Sequence, residues 1–310
     1  MSNNHRHHSK GKNRRLKRTL LIVLFVMLGV LGVASAYAYY QIHHATSQVY
    51  SWNKVKTSTG DKHTQQGKPV AYLMLGTDTG DLGRSYKGRT DTMIVTVLNP
   101  KTKTTTMMSI PRDTKIDLYG ATVKINSAYA YGNAKSAIAA VEKLLDIKLD
   151  GYIMINMGGL TKLVDSVGGV NVESPLTFSY GGSSFTKGKS YHLNGDAALN
   201  FSRMRHEDAD GDYGRQRRQQ LVITAIMKKV KDNPTQVMNG QFLDTVAKNV
   251  RTDVSLGSVK NLVSKYRSAG NRIVSDQMKG KGKMIRGVSF EVQPASEIKR
   301  AHSVVTDALK

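Results

Sequence analysis

Five arginines and four carboxylates crowd the stretch RMRHEDADGDYGRQRRQQ: Arg203, Arg205, Arg215, Arg217 and Arg218 around Glu207, Asp208, Asp210 and Asp212. The middle, DADGDYG, is too rich in Gly and Asp to stay helical, whereas from Arg215 the chain enters LVITAIMKKV, which reads as a helix. Arginines therefore arrive from two sides of a polar loop, one set close to a helix N-terminus. Planar guanidinium forks beside a helix N-terminus suit a phosphate or diphosphate. A solvated loop of local ion pairs is the competing reading. Upstream, Asp78 follows GT, Arg89 and Asp91 flank Thr90, and Arg112 and Asp113 follow Pro111. Two carboxylates brought together repel unless a cation lies between them, and Mg²⁺ (or Mn²⁺) takes one or two carboxylates plus substrate phosphate oxygens. Asp78 and Asp91 are the metal candidates; a turn or cap role is the alternative for each taken singly.

These residues sit at the ends of apolar runs. Val70–Leu75, Met93–Leu98 and Thr104–Ile110 read as strands, closed by Gly76, Asn99-Pro100 and Pro111. The short NPKTK link predicts a hairpin between the second and third. Helical spacing covers Ser136–Leu145, and Gly159–Val167 is a helix stopped by Gly168-Gly169. Gly151–Asn156 reads as a strand. Further helices are expected near Arg215–Val230, Phe242–Val250 and Leu256–Ala269, with strands at Arg272–Ser275 and Met284–Val292 and a last helix from Pro294 to Leu309. Strands and helices intermix without repeats, which predicts one α/β domain over 69–310. In such sheets ligands bind where loops gather side chains at strand ends.

The chain has 310 residues, no cysteine and a formal charge of +23. It therefore has no disulfide framework or thiolate chemistry, and its surface favours anionic partners. Residues 1–18 hold seven Lys and Arg and no acid, and 19–40 are uncharged and mostly aliphatic, long enough for a spanning helix, with Tyr37, Tyr39 and Tyr40 at its far end. The positive flank predicts a cytoplasmic tail (1–18), a transmembrane helix (19–40) and an extracytoplasmic body. Ala34-Ser35-Ala36 offers a rival signal-peptidase site; the uncleaved anchor is preferred because apolar and aromatic residues continue to Tyr40. Residues 41–68 read as a polar stalk. Chromosomal DNA is thereby removed as the natural partner.

The segments LMLGTDTGD, GRTDTMIVTVLNP, MMSIPRDT, KINSAYAYGN, GGLTKLVDSVGGVNV, LNGDAALNFSRMRHEDADGDYGRQRRQQ and NVRTDVS stand in this order between about Leu73 and Asp253. In that combination the chain resembles the LytR–CpsA–Psr family of cell-wall proteins. It departs at Thr90, where Ser is common, at Ser127, where His is common, and at Asn133, where a second Gly is common. TGDLGRSY also lacks an Arg directly beside the aspartate motif, with Arg84 as a possible substitute. The resemblance implies a single domain with a central mixed sheet flanked by helices in α-β-α layers, preceded by one membrane helix. It implies an extracytoplasmic transferase that moves an anionic glycopolymer, of teichoic acid or capsular type, from a polyprenyl-pyrophosphate carrier to peptidoglycan through a phosphodiester. The family's metal aspartates map onto Asp78 and Asp91. Its diphosphate-gripping residues map onto Arg89, Arg112, Arg203, Arg205, Arg215 and Arg218, with Gln219 nearby, and Asp212 orders the loop or positions an Arg.

The residues fit that chemistry on their own terms. Phosphoryl transfer needs charge neutralised on the departing group and the attacking oxygen held in line. His206 is the one histidine near the loop and reads as a bystander; Asp91 or Asp113 is the better proton acceptor. A lipid tail needs an apolar groove, for which Leu221–Met227 and Ile138–Leu145 are the candidate walls, although such helices are more often plain core. Two rivals stay open, a membrane-bound transcription attenuator and a non-catalytic protein whose basic surface holds wall polymer.

Overall fold

A computed structural model describes residues 58–78, 88–233 and 240–310. The tail, the membrane span, residues 41–57 of the stalk and Arg84 lie outside the described residues. Among the described residues no helix is long and apolar enough to cross a membrane.

The apolar run at Val70 forms β1 (Val70–Thr77), and it is apolar on both faces because both faces are covered. Around it lies a six-stranded mixed sheet in the order β11 (Val250–Thr252), β6 (Gly151–Asn156), β1, β2 (Thr90–Asn99), β3 (Thr104–Ser109), β12 (Arg272–Gln277). The β1–β2, β2–β3 and β6–β11 pairs are antiparallel, whereas β1–β6 and β3–β12 are parallel. The β2–β3 link is the expected hairpin, and Asn99 Oδ1 closes its turn by accepting from Lys101 N and Thr102 N at 3.0 and 3.2 Å.

Ala71, Leu73 and Leu75, with Met93, Val95 and Val97, bury one face of the sheet under α2 (Ser127–Leu145) and α8 (Ala295–Ala308). Each fully buried aliphatic side chain there contributes about 1.5–3 kcal/mol. The other face carries α3 (Met157–Ser166), α4 (Gly195–Arg203) and α5 (Gly211–Asp232), joined by a second apolar cluster around Phe178, Phe185 and Phe201. Helix, sheet, helix is the expected layering. Within α2 the backbone breaks at Asn133, with φ 73° and ψ −167°. That region is nearly reserved for glycine, which accounts for the residue the family resemblance places there.

Three expectations need correction. Residues 284–292 are not one strand: β13 (Lys281–Ile285) and β14 (Val288–Val292) form a hairpin whose turn residues, Arg286 and Gly287, both have positive φ. Residues 211–214 of the polar loop are helical, because Asp208 turns the chain by accepting from Asp210 N and Gly211 N, and α5 starts there. The last part of the stalk is α1 (Ser58–Gln66), a helix docked on α7 (Leu256–Lys265). Its contacts are polar: Ser258 Oγ donates to Asp61 Oδ1 at 2.6 Å, and His63 Nδ1 lies 2.9 Å from Asp150 Oδ1. Docking by hydrogen bonds leaves no apolar stripe in the sequence, so the segment reads as a linker.

Candidate active site

Five elements bring the distant motifs to one place. Asp78 leaves the end of β1, and Asp91 lies near the start of its neighbour β2. Register along this pair runs Gly76↔Thr92 and then Thr77↔Thr90, so Asp91 is one extra residue in β2. By strict alternation its side chain would point with Met93 and Val95 into the layer under α2. The bulge turns it out instead, 24 % exposed and within 2.7 Å of Arg112. A Cβ on Gly76 would stand 2.9 Å from Thr92 Cβ and Oγ1, so only glycine lets the strands meet this closely here. Arg112 follows β3 through Pro111. Arg203 ends α4, Arg205 lies two residues beyond, and Arg215 and Gln219 lie one turn apart on α5.

Asp78, Asp91, Arg112, Arg203, Arg205, Arg215 and Gln219 all line a single cavity of about 630 Å³. Arg112 Nη1 donates to Asp91 Oδ1, and Arg215 Nη2 donates to the Asp91 carbonyl at 3.1 Å. Asp212 braces the pair, 2.7 Å from Arg215 Nη2 and 3.7 Å from Arg112 Nε. Burial lowers the Arg215 guanidinium pKa; Asp212 opposes that, while Arg112 and Arg205 push it further down. For Arg112 burial also pulls downward, but Asp91, with Asp212 and Asp113, outweighs it and the pKa rises. Arg112 Nε and Arg215 Nε are buried without a hydrogen-bond acceptor among the described residues. Donors left in that state favour an anion that can take them up.

The cavity changes character along α5. Arg215 and Gln219 face it near the helix start; Val222, Ile223, Ile226 and Met227 continue the same face. From Arg215 to Ile226 the helix rises about 16 Å. Ile153 and Ile155 from β6, and Leu160 and Leu163 from α3, close the apolar arm. One end therefore suits a doubly charged phosphate group and the other a hydrocarbon chain. The second expected wall, 138–145, is absent from it: α2 packs in the core on the opposite face of the sheet.

Other expected site residues fall elsewhere. Arg218 is fully buried and does not line the cavity; Nε donates to Phe201 O at 3.0 Å, Nη2 to Met204 O, and Nη1 to Asp208. A Cβ on Gly214 would stand 1.7 Å from Asp208 Oδ2, so glycine makes room for that ion pair. Arg217 pairs with Asp210, and Glu207 accepts from Ser179 N at 3.1 Å. The polar loop thus contains both arrangements weighed from the sequence: Asp208 and Asp210 hold it together by local bonds, Glu207 ties it to Ser179, and Asp212 serves the cavity arginines. Arg89 is exposed and is not among the lining residues. Asp113 pairs with Lys124 at 2.8 Å, outside the cavity walls. His206 is a lining residue, exposed at the rim. The sequence reading missed α4, which supplies Leu199, Ser202 and Arg203 to the wall. Its signal was present as Asn194, whose side chain caps the helix by accepting from Ala197 N at 2.9 Å.

A mixed sheet flanked by helices, with a cavity cationic at one end and apolar at the other, defines a fold and site whose chemistry suits an amphiphilic anion. The chain belongs to the LytR_cpsA_psr family, whose model matches residues 35–304. It is 39% identical over 290 residues to the polyisoprenyl-teichoic acid–peptidoglycan teichoic acid transferase TagU of Enterococcus faecalis, covering 93% of this chain and 95% of that one. Among solved structures it is similar to TagU of B. subtilis, with TM-score 0.62 and 33% identity over 78% of this chain and 97% of that one. It is also similar to a protein from Enterococcus faecalis described as a transcriptional regulator, with TM-score 0.70 and 35% identity over 79% and 89%.

Proposed function

We propose that this protein transfers an anionic glycopolymer from a polyprenyl-pyrophosphate carrier to peptidoglycan, forming a phosphodiester, with an N-terminal span holding the domain outside the membrane. The observation that carries the proposal is the amphipathic cavity: diphosphate at Arg112, Arg203, Arg205, Arg215 and Gln219, with the isoprenoid along Ile153, Ile155, Val222, Ile223 and Ile226. Arg89 stands close enough in sequence to Asp91 to meet substrate at the rim. A muramic-acid hydroxyl attacks the phosphorus bonded to the sugar; the bond from that phosphorus to the bridging oxygen breaks, and polyprenyl phosphate leaves. The arginines stabilise the charge gathering on the departing phosphate. Of the two candidate proton acceptors Asp91 lines the cavity and Asp113 does not, so the hydroxyl proton goes to Asp91. Without an acceptor, water takes the hydroxyl's place and releases product slowly.

Asp78 and Asp91 also suit a divalent cation. Among the described residues no group of three or more His, Asp or Glu side chains is arranged to hold a metal, so the protein offers two carboxylates and substrate oxygens must complete the shell. That division of ligands is the habit of Mg²⁺ (or Mn²⁺). When bound, the cation neutralises diphosphate charge.

The relatives' names support transfer to peptidoglycan, and TagU acts on teichoic acid by its name; the chemistry of the polymer here follows by analogy. The full-length protein with Mg²⁺, a polyprenyl-diphosphate glycan and a peptidoglycan oligomer should yield a phosphodiester-linked product detectable by mass spectrometry. A triple variant Asp78→Ala, Asp91→Ala, Arg112→Ala should abolish it, because one buried phosphate-binding Arg alone contributes roughly two decades of rate. Full activity in that variant would falsify the assignment. Polymer binding without turnover in the parent would leave a wall-polymer holder in its place.

A further inference from the structure

The formal charge of +23 exceeds what the tail and the cavity absorb. Part of the surplus is concentrated on two small hairpins beside the site, β4 (Lys115–Leu118) with β5 (Ala121–Lys124), and β13 with β14. Between them, residues 113–124 and 279–292 carry Lys115, Lys124, Lys279, Lys281, Lys283 and Arg286 against Asp113, Asp117 and Glu291. Two of those carboxylates are engaged inward: Asp113 with Lys124, and Glu291 with the Tyr213 hydroxyl. Lys281, Lys283 and Arg286 are exposed and make no salt bridge among the described residues. On β13, Lys281 and Lys283 alternate with Gly282, so these two side chains leave the same side of the ribbon about 7 Å apart.

The β13–β14 hairpin is fixed to residues that directly follow Arg112 and to one that shortly precedes Arg215. Glu291 N donates to Asp113 O at 2.9 Å, next to Arg112, and Gln293 Nε2 donates to Thr114 Oγ1 at 3.3 Å. At its other edge Gly280 N donates to the Tyr213 hydroxyl at 2.9 Å, two residues before Arg215. The β4–β5 turn presents Tyr119, 81% exposed, with its hydroxyl 3.3 Å from Ser136 Oγ on α2, on the side of the sheet away from the cavity. A row of cations suits successive phosphates.

We infer that the β13–β14 hairpin is a rail for the anionic glycan chain of the donor, holding repeats beyond the one that reacts. This rests on the transferase reading, because the chain attached to the diphosphate must leave the cavity from its arginine-lined end, whose chain neighbours Asp113 and Tyr213 anchor the hairpin. An anionic membrane surface would also attract the lysines, but it offers no reason for fixing their hairpin to Asp113 and Tyr213, the chain neighbours of Arg112 and Arg215.

The test is the charge reversal Lys281→Glu, Lys283→Glu, Arg286→Glu in the full-length protein in detergent micelles, with an unchanged thermal unfolding midpoint as the control for folding. Soluble poly(glycerol phosphate) should bind roughly ten-fold more weakly at low salt, with the salt dependence reduced by about three ions. In transfer assays KM should rise for a donor bearing a long polyanion and stay constant for a donor with a single repeat, with kcat unchanged for both. Undiminished polymer binding, or an equal effect on both donors, overturns the rail. So does loss of binding to phosphatidylglycerol vesicles alone, which would make the hairpin a membrane contact. If the parent binds the polymer through these residues yet transfers no donor, the rail stands and the transferase reading falls.

Discussion

Arg218→Ala removes a guanidinium with no exposed surface and three acceptors: the carbonyls of Phe201 and Met204 and the carboxylate of Asp208, itself 8% exposed. Stranding a buried carboxylate costs about 3–5 kcal/mol, and each orphaned carbonyl adds roughly 1 kcal/mol or more. Water entering the vacated volume recovers part of this, so about 4 kcal/mol is the expected loss, set against a total stability of roughly 5–15 kcal/mol. Urea unfolding followed by circular dichroism should show the midpoint falling accordingly. Adding Asp208→Asn removes the stranded charge and should restore about 1–2 kcal/mol, a positive coupling in the double-mutant cycle. Transfer should decline in step with the folded fraction, with an added loss from loosening the loop that carries Arg203 and Arg205. A variant that unfolds at the parent's midpoint yet transfers nothing would refute this reasoning and return Arg218 to the substrate.

Asp253 carries a pH prediction. Its buried carboxyl has a pKa pushed up to about 6, chiefly by burial, and Oδ2 has no hydrogen-bond partner among the described residues. An acid with a folded pKa above its unfolded one binds protons more tightly when folded, so its stabilising effect is present at low pH and lost as pH rises from about 4 to 6. The loss amounts to at most ~3 kcal/mol, and burial shifts Asp150 in the same direction. Asp253→Asn retains an acceptor for Tyr152 N, so the variant should be the more stable above about pH 6, with the difference vanishing near pH 4 in urea titrations. Ile223→Trp places an indole in the apolar arm; KM should rise about ten-fold for a long polyisoprenyl donor and little for a short prenyl one. Equal KM values for the two would mean that the arm does not hold the lipid. Gly76→Ala should destabilise by roughly 1–3 kcal/mol through the contact with Thr92, read from the thermal midpoint, and an unchanged midpoint would mean that β1 and β2 can part at little cost.

The sequence made the sheet and the site legible to different depths. Strands β1, β2, β3 and β6 announce themselves because continuous β-branched and aliphatic runs have nowhere to go but a two-sided core. The cavity residues were visible as polar groups at the ends of those runs, and Asp78, Asp91, Arg112, Arg203, Arg205 and Arg215 do meet. Arg218 shows the limit. In a run of charged residues no local rule tells a cation that faces substrate from one that serves backbone carbonyls, since the difference lies in Phe201 and Met204 reaching it from another helix. For α1 the obstacle was different: its docking uses Asp61, His63 and Thr64, whose partners at 150 and 258 are remote in the chain. The two-strand nature of 281–292 was hidden because Arg286 occupies a turn position usually given to Asn or Gly.

The added residue at Asp91 has a further consequence. Side chains along β2 are dealt alternately to two layers, and the carboxylate reaches the mouth by stepping out of turn. The mouth is therefore defined by a count along the backbone as much as by chemistry. Exchanging Asp91 for Asn or Glu leaves its direction intact, whereas deleting a single position between Gly88 and Thr92 would deal an acid into an oily layer. At this rim a substitution changes the chemistry of the side chain, whereas a change in length changes the layer it enters.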